Sequence, residues 1–211
     1  MDESTRLAEN LNTETGYLCL DFANTANWHA RENPEESLNS YADLLTWAKG
    51  VGVLDEAVAL QLQKEADRRG ADASGVLGKV IELREAIYRI FSAVARGDPP
   101  AAVDLTLLNN GLRDATAHQL VVAGNDGFVW AWISAGEHEL SQMLAPIARS
   151  AADLLTSDQL DRVRECADDR GCGYLFFDAT RNRSRRWCSM DSCGNRAKAR
   201  RHYHRQVSAG E

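Results

Sequence analysis

No stretch of the 211-residue sequence approaches the roughly 20 consecutive apolar residues that a membrane span requires, so a spanning protein is not expected. Met1 to Asn10 is polar and acid-leaning and lacks an apolar run behind a basic stretch, so no secretory leader is read and a cytoplasmic location is expected. Internal repeats and low-complexity tracts are missing. So are a glycine-rich phosphate loop, a Ser/His/Asp set and a carboxylate–histidine metal motif of useful spacing, which disfavours an enzyme. Wholesale disorder is also unexpected, because hydrophobic residues make up 44% and charged residues 26% of the chain. The length suffices for one good-sized core or for a core with a small appendage.

Charge is spread unevenly along the chain. From Arg181 to Arg205 there are nine Lys or Arg residues and one acid, Asp191, a local charge of +8; the remainder carries 15 bases and 30 acids. An acidic body with a basic C-terminal arm is the asymmetry expected when one end meets a polyanion, although a merely solvated arginine-rich tail would look the same.

The body reads as mainly helical with a little strand. Tyr17 to Phe22 is a short apolar run ended by Asn24-Thr25 and is predicted to be a buried strand. A helix is expected from Ser37, with Leu38, Tyr41, Leu44, Leu45 and Ala48 at helical spacing and a stop at Gly50 or Gly52. Asp55 caps the next, which runs to Gly70. The strongest is Val76 to Ala95, broken by Gly97-Asp98-Pro99-Pro100. Gln119–Ala123 and Phe128–Trp132 flank Gly124-Asn125-Asp126-Gly127 and read as a β-hairpin, with Trp130 and Trp132 on one face. A further helix is expected over Ala135–Leu155. Thr156 and Gln159 have capping-box spacing for a short helix leading to Cys166. The domain boundary is placed near 155–160, giving a body of 1–156 and an appendage of 157–211.

Four of the five cysteines fall within 28 residues, as Cys166-x5-Cys172 and Cys188-x4-Cys193. Clustered thiols in a reducing compartment more often hold metal than pair with one another, and zinc prefers four tetrahedral ligands for which thiolates are well suited. Tyr174 to Asp178 reads as a strand returning through Arg185-Arg186-Trp187, and Gly194 to Gln206 as a helix. Knuckle, hairpin and ligand-bearing helix make a treble clef around one zinc per chain. Some fifty residues with so few large apolar side chains also require such a staple. The alternatives are two disulfides or unrelated buried thiols. Cys19, alone in an apolar run, reads as a core residue, and His202 and His204 lie too far past Cys193 to share its position. The fold class is thus α+β: a mainly helical N-terminal domain with a small hairpin, plus a C-terminal treble-clef zinc finger.

Arg185-Arg186-Trp187-Cys188-Ser189-Met190, followed by Cys193-Gly194-Asn195-Arg196-Ala197-Lys198-Ala199-Arg200-Arg201, resembles the CGNR zinc-finger family. Leu20-Asp21-Phe22-Ala23-Asn24-Thr25 and Leu83-Arg84-Glu85-Ala86-Ile87 resemble the ABATE domain that commonly precedes this finger. The first cysteine pair is spaced by five residues where the family commonly has four. The resemblance implies a bacterial transcription regulator with a ligand- or signal-sensing body and a DNA-contacting finger.

Candidate nucleic-acid contacts are Arg181, Arg183, Arg185, Arg186, Arg196, Lys198, Arg200, Arg201 and Arg205. At 100° per residue, Ala199, Tyr203 and Val207 share a side suited to packing on Phe176, which places Lys198, Arg201 and Arg205 opposite. In the body, Asp21, Asn24, Thr25, Trp28 and His29 crowd the end of the first predicted element, with Arg84 as a charge partner, and form a candidate small-molecule site. The other reading is that Asp21 and Asn24 satisfy local backbone groups in a turn. DNA is the expected partner. RNA binding, docking of the basic finger on an acidic protein, and a small-molecule enzyme are the alternatives, and a homodimer is plausible because one small finger binds DNA weakly.

Overall fold

A computed structural model of the chain describes residues 13–117, 119–124, 127–132 and 140–208, and for 129–132, 202 and 204–208 the backbone alone. Its axis is the long helix α4 (Gly70–Arg96). Val76, Val80, Leu83, Ile87, Ile90 and Phe91 recur at three- and four-residue intervals and are all buried. Each such side chain contributes about 1.5–3 kcal/mol on leaving water. Around this axis pack α1 (Leu18–Ala23), α2 (Tyr41–Gly50), α3 (Glu56–Arg68) and α5 (Ala102–Ala117). The sixth helix, α6 (Leu144–Thr156), lies against α5 and α1.

The helices follow their end signals closely. Asp55 Oδ1 accepts from Val58 N at 2.8 Å and caps α3 as expected. The cap of α2 is Ser40 rather than Ser37, and Leu38 is buried in the approach to the helix. Arg69 is the single non-helical residue between α3 and α4, so α4 starts six residues before the predicted Val76. The hairpin β3 (Gln119–Gly124) and β4 (Gly127–Trp132) has the expected register, with Gly124 opposite Gly127. Asn125, Asp126 and the predicted helical residues 135–139 lie outside the described residues, as do the side chains of Trp130 and Trp132.

Three predicted elements differ. Tyr17–Phe22 is not a strand: residues Leu18–Ala23 form helix α1, and all six of them are buried between α4, α6 and a strand from the C-terminal region. An element buried on every side shows no periodicity, so an apolar run of this length fits helix and strand alike. The Thr156–Gln159 signal starts no helix. Thr156 ends α6, its hydroxyl bonded to the Ala152 carbonyl at 2.9 Å. A short 3-10 turn, Leu160–Arg162, then leads into strand β5 (Val163–Glu165).

Strand β5 pairs antiparallel with β6 (Leu175–Phe177), matching Val163 to Phe177 and Glu165 to Leu175. The predicted return strand at 185–187 therefore does not form; the segment before Cys166 pairs with β6 instead. The reason is burial: Val163 and Leu175 are 0% exposed and belong to the body's own core, with Phe177 packed against it. With a period of two, Phe176 then points the other way, into a separate small cluster with Cys166 and Cys193. One three-residue strand thus divides two cores. A two-residue ladder, β1 (Ala26–Asn27) with β2 (Glu35–Glu36), closes the loop that faces the cysteines. Among the described residues, no helix is long and apolar enough to cross a membrane.

Candidate metal centre and basic face

The four predicted ligands meet. The Sγ atoms of Cys166, Cys172, Cys188 and Cys193 all lie within 4.8 Å of one another, with Cys172–Cys188 at 3.8 Å and Cys188–Cys193 at 3.6 Å. A tetrahedron of thiolates about 2.3 Å from a central ion has edges of about 3.8 Å, so the set fits a metal and is far too open for disulfides. All five cysteines are free, and Cys19 is a fully buried core residue. Hydrogen bonds from Cys172 and Cys188 favour the thiolate at Cys166, while the bonds to Cys166 push the Cys172 and Cys188 thiols upward. Crowded sulfurs cannot all carry charge unaided, and a bound cation supplies what four thiolates require.

The backbone delivers these sulfurs from both sides. Cys188 N–H donates to Cys166 Sγ at 3.4 Å, and Cys166 N–H to the Tyr174 carbonyl at 2.9 Å. Met190–Gly194 forms one wide π-helical turn that brings Cys193 inward and leads directly into α7 (Asn195–Ser208). At Gly194 a Cβ would lie 2.7 Å from Met190 Sδ, so a larger residue there would displace that exposed side chain. Gly173 is constrained twice: its φ is +66°, and a Cβ would lie 2.5 Å from Ala30 N. That contact and the bond from His29 N–H to the Cys172 carbonyl, at 3.1 Å, dock the first knuckle onto the body's 26–32 loop.

Arg196 sits at the centre of this junction. It donates to Cys193 Sγ at 2.8 Å and to Asp168 at 3.2 Å, and its guanidinium lies 5.2 Å from the Trp28 ring centroid. Arg31, 3.7 Å from the same ring, and Arg170 complete a cationic surround for Trp28, whose φ is +54°. Asp168 collects Arg170, Arg196 and Arg200 although it is only 5% exposed. Burial opposes its ionisation, yet the hydrogen bonds from Arg170 hold its carboxyl well below the ordinary range. Asp168, between two ligands in sequence, was missed by sequence reasoning; an acid beside Arg170 in so short a knuckle was the available signal.

Of the nine basic candidates, three are occupied within the protein: Arg196 as above, Arg200 with Asp168 and Asp169, and Arg183 with Asp161. Arg185 spans the carbonyls of Trp187 and Cys188 and lies over the Phe176 ring at 4.5 Å. Arg181, Arg186, Lys198 and Arg201 are exposed and have no acidic partner among the described residues. Arg186 and Arg201 flank the Trp187 ring at 5.3 and 6.0 Å. The Arg205 side chain, like those of His202, His204 and Val207, lies outside the described residues. The predicted rotation of α7 needs correction. Ala199 is exposed and Tyr203 is 64% exposed, so neither packs on Phe176; the helix turns its Arg196–Arg200 side inward because Asp168 waits there.

The body's candidate residues fall into three groups, the first two joined where Arg84 Nη1 donates to Thr25 Oγ1 at 3.4 Å. Asp21, Asn24 and Thr25 line a cavity of about 530 Å³. Within it Asp21 accepts from the N–H groups of Glu14 and Thr15, at 2.6 and 2.9 Å, so it also closes a local turn. Arg84 does not line the cavity: 3% exposed, it forks onto both Glu36 oxygens at 2.6 Å and reaches Glu85 at 2.9 Å. His29 joins this group through Glu85 at 2.9 Å and stacks on Tyr88. Trp28 belongs to the metal-centre junction instead.

A helical body followed by four cysteines that converge from the loops around β5 and β6 and from the π turn defines a protein with a four-cysteine metal centre. Comparison with protein-family models agrees: residues 16–158 match ABATE, described as "Putative stress-induced transcription regulator", and residues 162–206 match the CGNR zinc finger. The chain belongs to the ABATE family. No curated protein matches it.

Proposed function

We propose that this chain is a cytoplasmic transcription regulator, not an enzyme, in which a body of residues 1–156 senses a small molecule and a treble-clef finger of residues 157–211, holding one zinc ion, binds DNA. The observation that carries the DNA reading is the division among the arginines. Arg196 and Arg200, facing inward, are neutralised by Asp168 and Asp169, and the exposed Arg183 by Asp161, which leaves Arg186, Lys198 and Arg201 exposed and without an acidic partner among the described residues, Arg186 and Arg201 beside Trp187. Such a face neutralises phosphates and releases counterions. Two copies on one operator would offset the weakness of a single finger.

The test is duplex binding across a salt series. The parent is expected to lose affinity steeply with salt, and Lys198→Glu with Arg201→Glu to abolish binding at unchanged zinc content. Neutralising either residue singly is expected to lower the salt slope by about 0.9. A double mutant that binds duplex as well as the parent would overturn the reading, and a preference for single-stranded RNA would move it to that polymer.

A further inference from the structure

We propose that the cavity between α1, α2 and Tyr174 binds a small organic cation, its charged nitrogen seated between the carboxylates of Asp21 and Glu14. The proposal rests on the sensing half of the reading above and names the chemistry sensed. The cavity's volume, about 530 Å³, is within the range of small-molecule sites. Its walls include Asp21, Glu14, Asn24, Trp47, Val51 and Tyr174, and among the described residues no Lys, Arg or His lines it, Arg84 reaching only the back of the wall at Thr25 Oγ1, 3.4 Å away.

Most other buried or half-buried carboxylates among the described residues are matched by a cation. Asp104 is paired with Arg89, Glu36 and Glu85 with Arg84, Glu165 with Arg96, and Asp168 with three arginines. Asp178 is closed by a turn, accepting from Thr180 and Arg185 N–H. Asp21, 9% exposed, and Glu14 share one cavity and have no cationic partner among the described residues. Burial pushes the Asp21 carboxyl upward, the direction a bound cation would reverse, and outweighs the hydrogen bonds from Thr15 and Glu14 that favour its charge. The Tyr174 hydroxyl donates to Glu14 at 3.0 Å. It leaves that carboxylate further acceptor sites, and the Trp47 ring supplies a face on which a cation gains further attraction. Acceptors on this scale favour a nitrogen bearing N–H, an amine or amidine, over a quaternary ammonium.

The site is linked to the metal centre through the backbone. Asn24 and Tyr174 line the cavity, Asn24 bonds both backbone groups of Leu175, and the Tyr174 carbonyl accepts from Cys166 N–H. An occupant therefore stiffens the seam between body and finger.

The experiment uses the zinc-loaded full chain, melted with putrescine, agmatine or choline, and with 1,4-butanediol and succinate as neutral and anionic controls. A saturable rise is expected with putrescine or agmatine, on the order of 5–10 °C at a hundredfold excess over Kd. Choline acting as strongly would keep the cation site and assign it to quaternary ammonium. Glu14→Gln, which alters an exposed carboxylate, and Asp21→Asn are each expected to weaken the response at least about tenfold, as loss of a charged hydrogen-bond partner does. No response to any cation, an equal response to butanediol, or an unchanged response in both variants would overturn the proposal. Duplex titration of the same samples separates the two readings. Duplex binding without a cation response removes this site and leaves the regulator; a cation response without duplex binding does the reverse.

Discussion

Asn24 and Leu175, 151 residues apart, are joined by two hydrogen bonds: Asn24 Nδ2 donates to the Leu175 carbonyl at 2.8 Å, and Leu175 N–H donates to Asn24 Oδ1 at 2.9 Å. The side-chain amide thus does what a neighbouring strand would do, satisfying the free edge of β6. It fastens the strand that divides the two cores to the end of α1, and so couples the helical body to the metal centre.

Removing this latch has a defined cost. Asn24→Ala orphans the N–H and C=O of a buried residue, and the expected loss is about 1–3 kcal/mol. Asn24→Asp keeps an acceptor for the N–H but sets a carboxylate against the carbonyl, and is expected to be at least as harmful. Urea melts of the three proteins check this; a loss below about 0.5 kcal/mol in both would show that water replaces the amide.

Metal removal is expected to act locally. A strong chelator, or Cys193→Ser, should release residues 166–174 and 186–200 to rapid amide exchange while α2 to α6 keep their helical signal. Val163 and Leu175 bury in the body's core, so β5 and β6 should lose protection later than the knuckles. Exchange read residue by residue checks the order, and simultaneous loss of both regions would contradict it.

Arg196 acts through the metal ligand it touches. Arg196→Ala should weaken metal retention about 10–100-fold in competition with a chelator, the usual range for groups that hold a ligand in place. Arg196→Lys should recover only part, because one ammonium cannot fork between Cys193 Sγ and Asp168. A lowered melting point with unaltered metal affinity would reduce Arg196 to a packing role.

Glu85 contributes an acid limb to stability. Burial alone would raise its carboxyl, but the bonds and charge of His29 and then Arg84 outweigh it and hold it at about 2, below the ordinary 4.5. A group depressed on folding stabilises above its unfolded value and loses that contribution as pH falls through the folded one, here from about 4.5 to 2. Between those values stability should fall about 1.4 kcal/mol per pH unit from this group. Glu85→Gln should remove that slope while also weakening the fold at neutral pH. An unchanged slope near pH 3 would exclude Glu85 as its source.

The sequence by itself determined the metal-ligand set, the major helices and the β3–β4 register. Those features are local: thiols at ligand spacing, a cap such as Asp55, an apolar stripe such as Val76–Phe91, and glycines at a turn each act through neighbours a few residues away. The tertiary structure alone decided the rest. Leu18–Ala23 is helical because α4, α6 and β6 enclose it, and β6 pairs with 163–165 because Val163 and Leu175 share the body's core. Helix α7 is rotated by Asp168, which turns Arg196 and Arg200 inward and leaves Lys198 and Arg201 outside. A three-residue strand or a polar helix carries too little pattern of its own to choose a partner or a face. Contacts from remote parts of the chain make that choice, because they determine which groups leave water together.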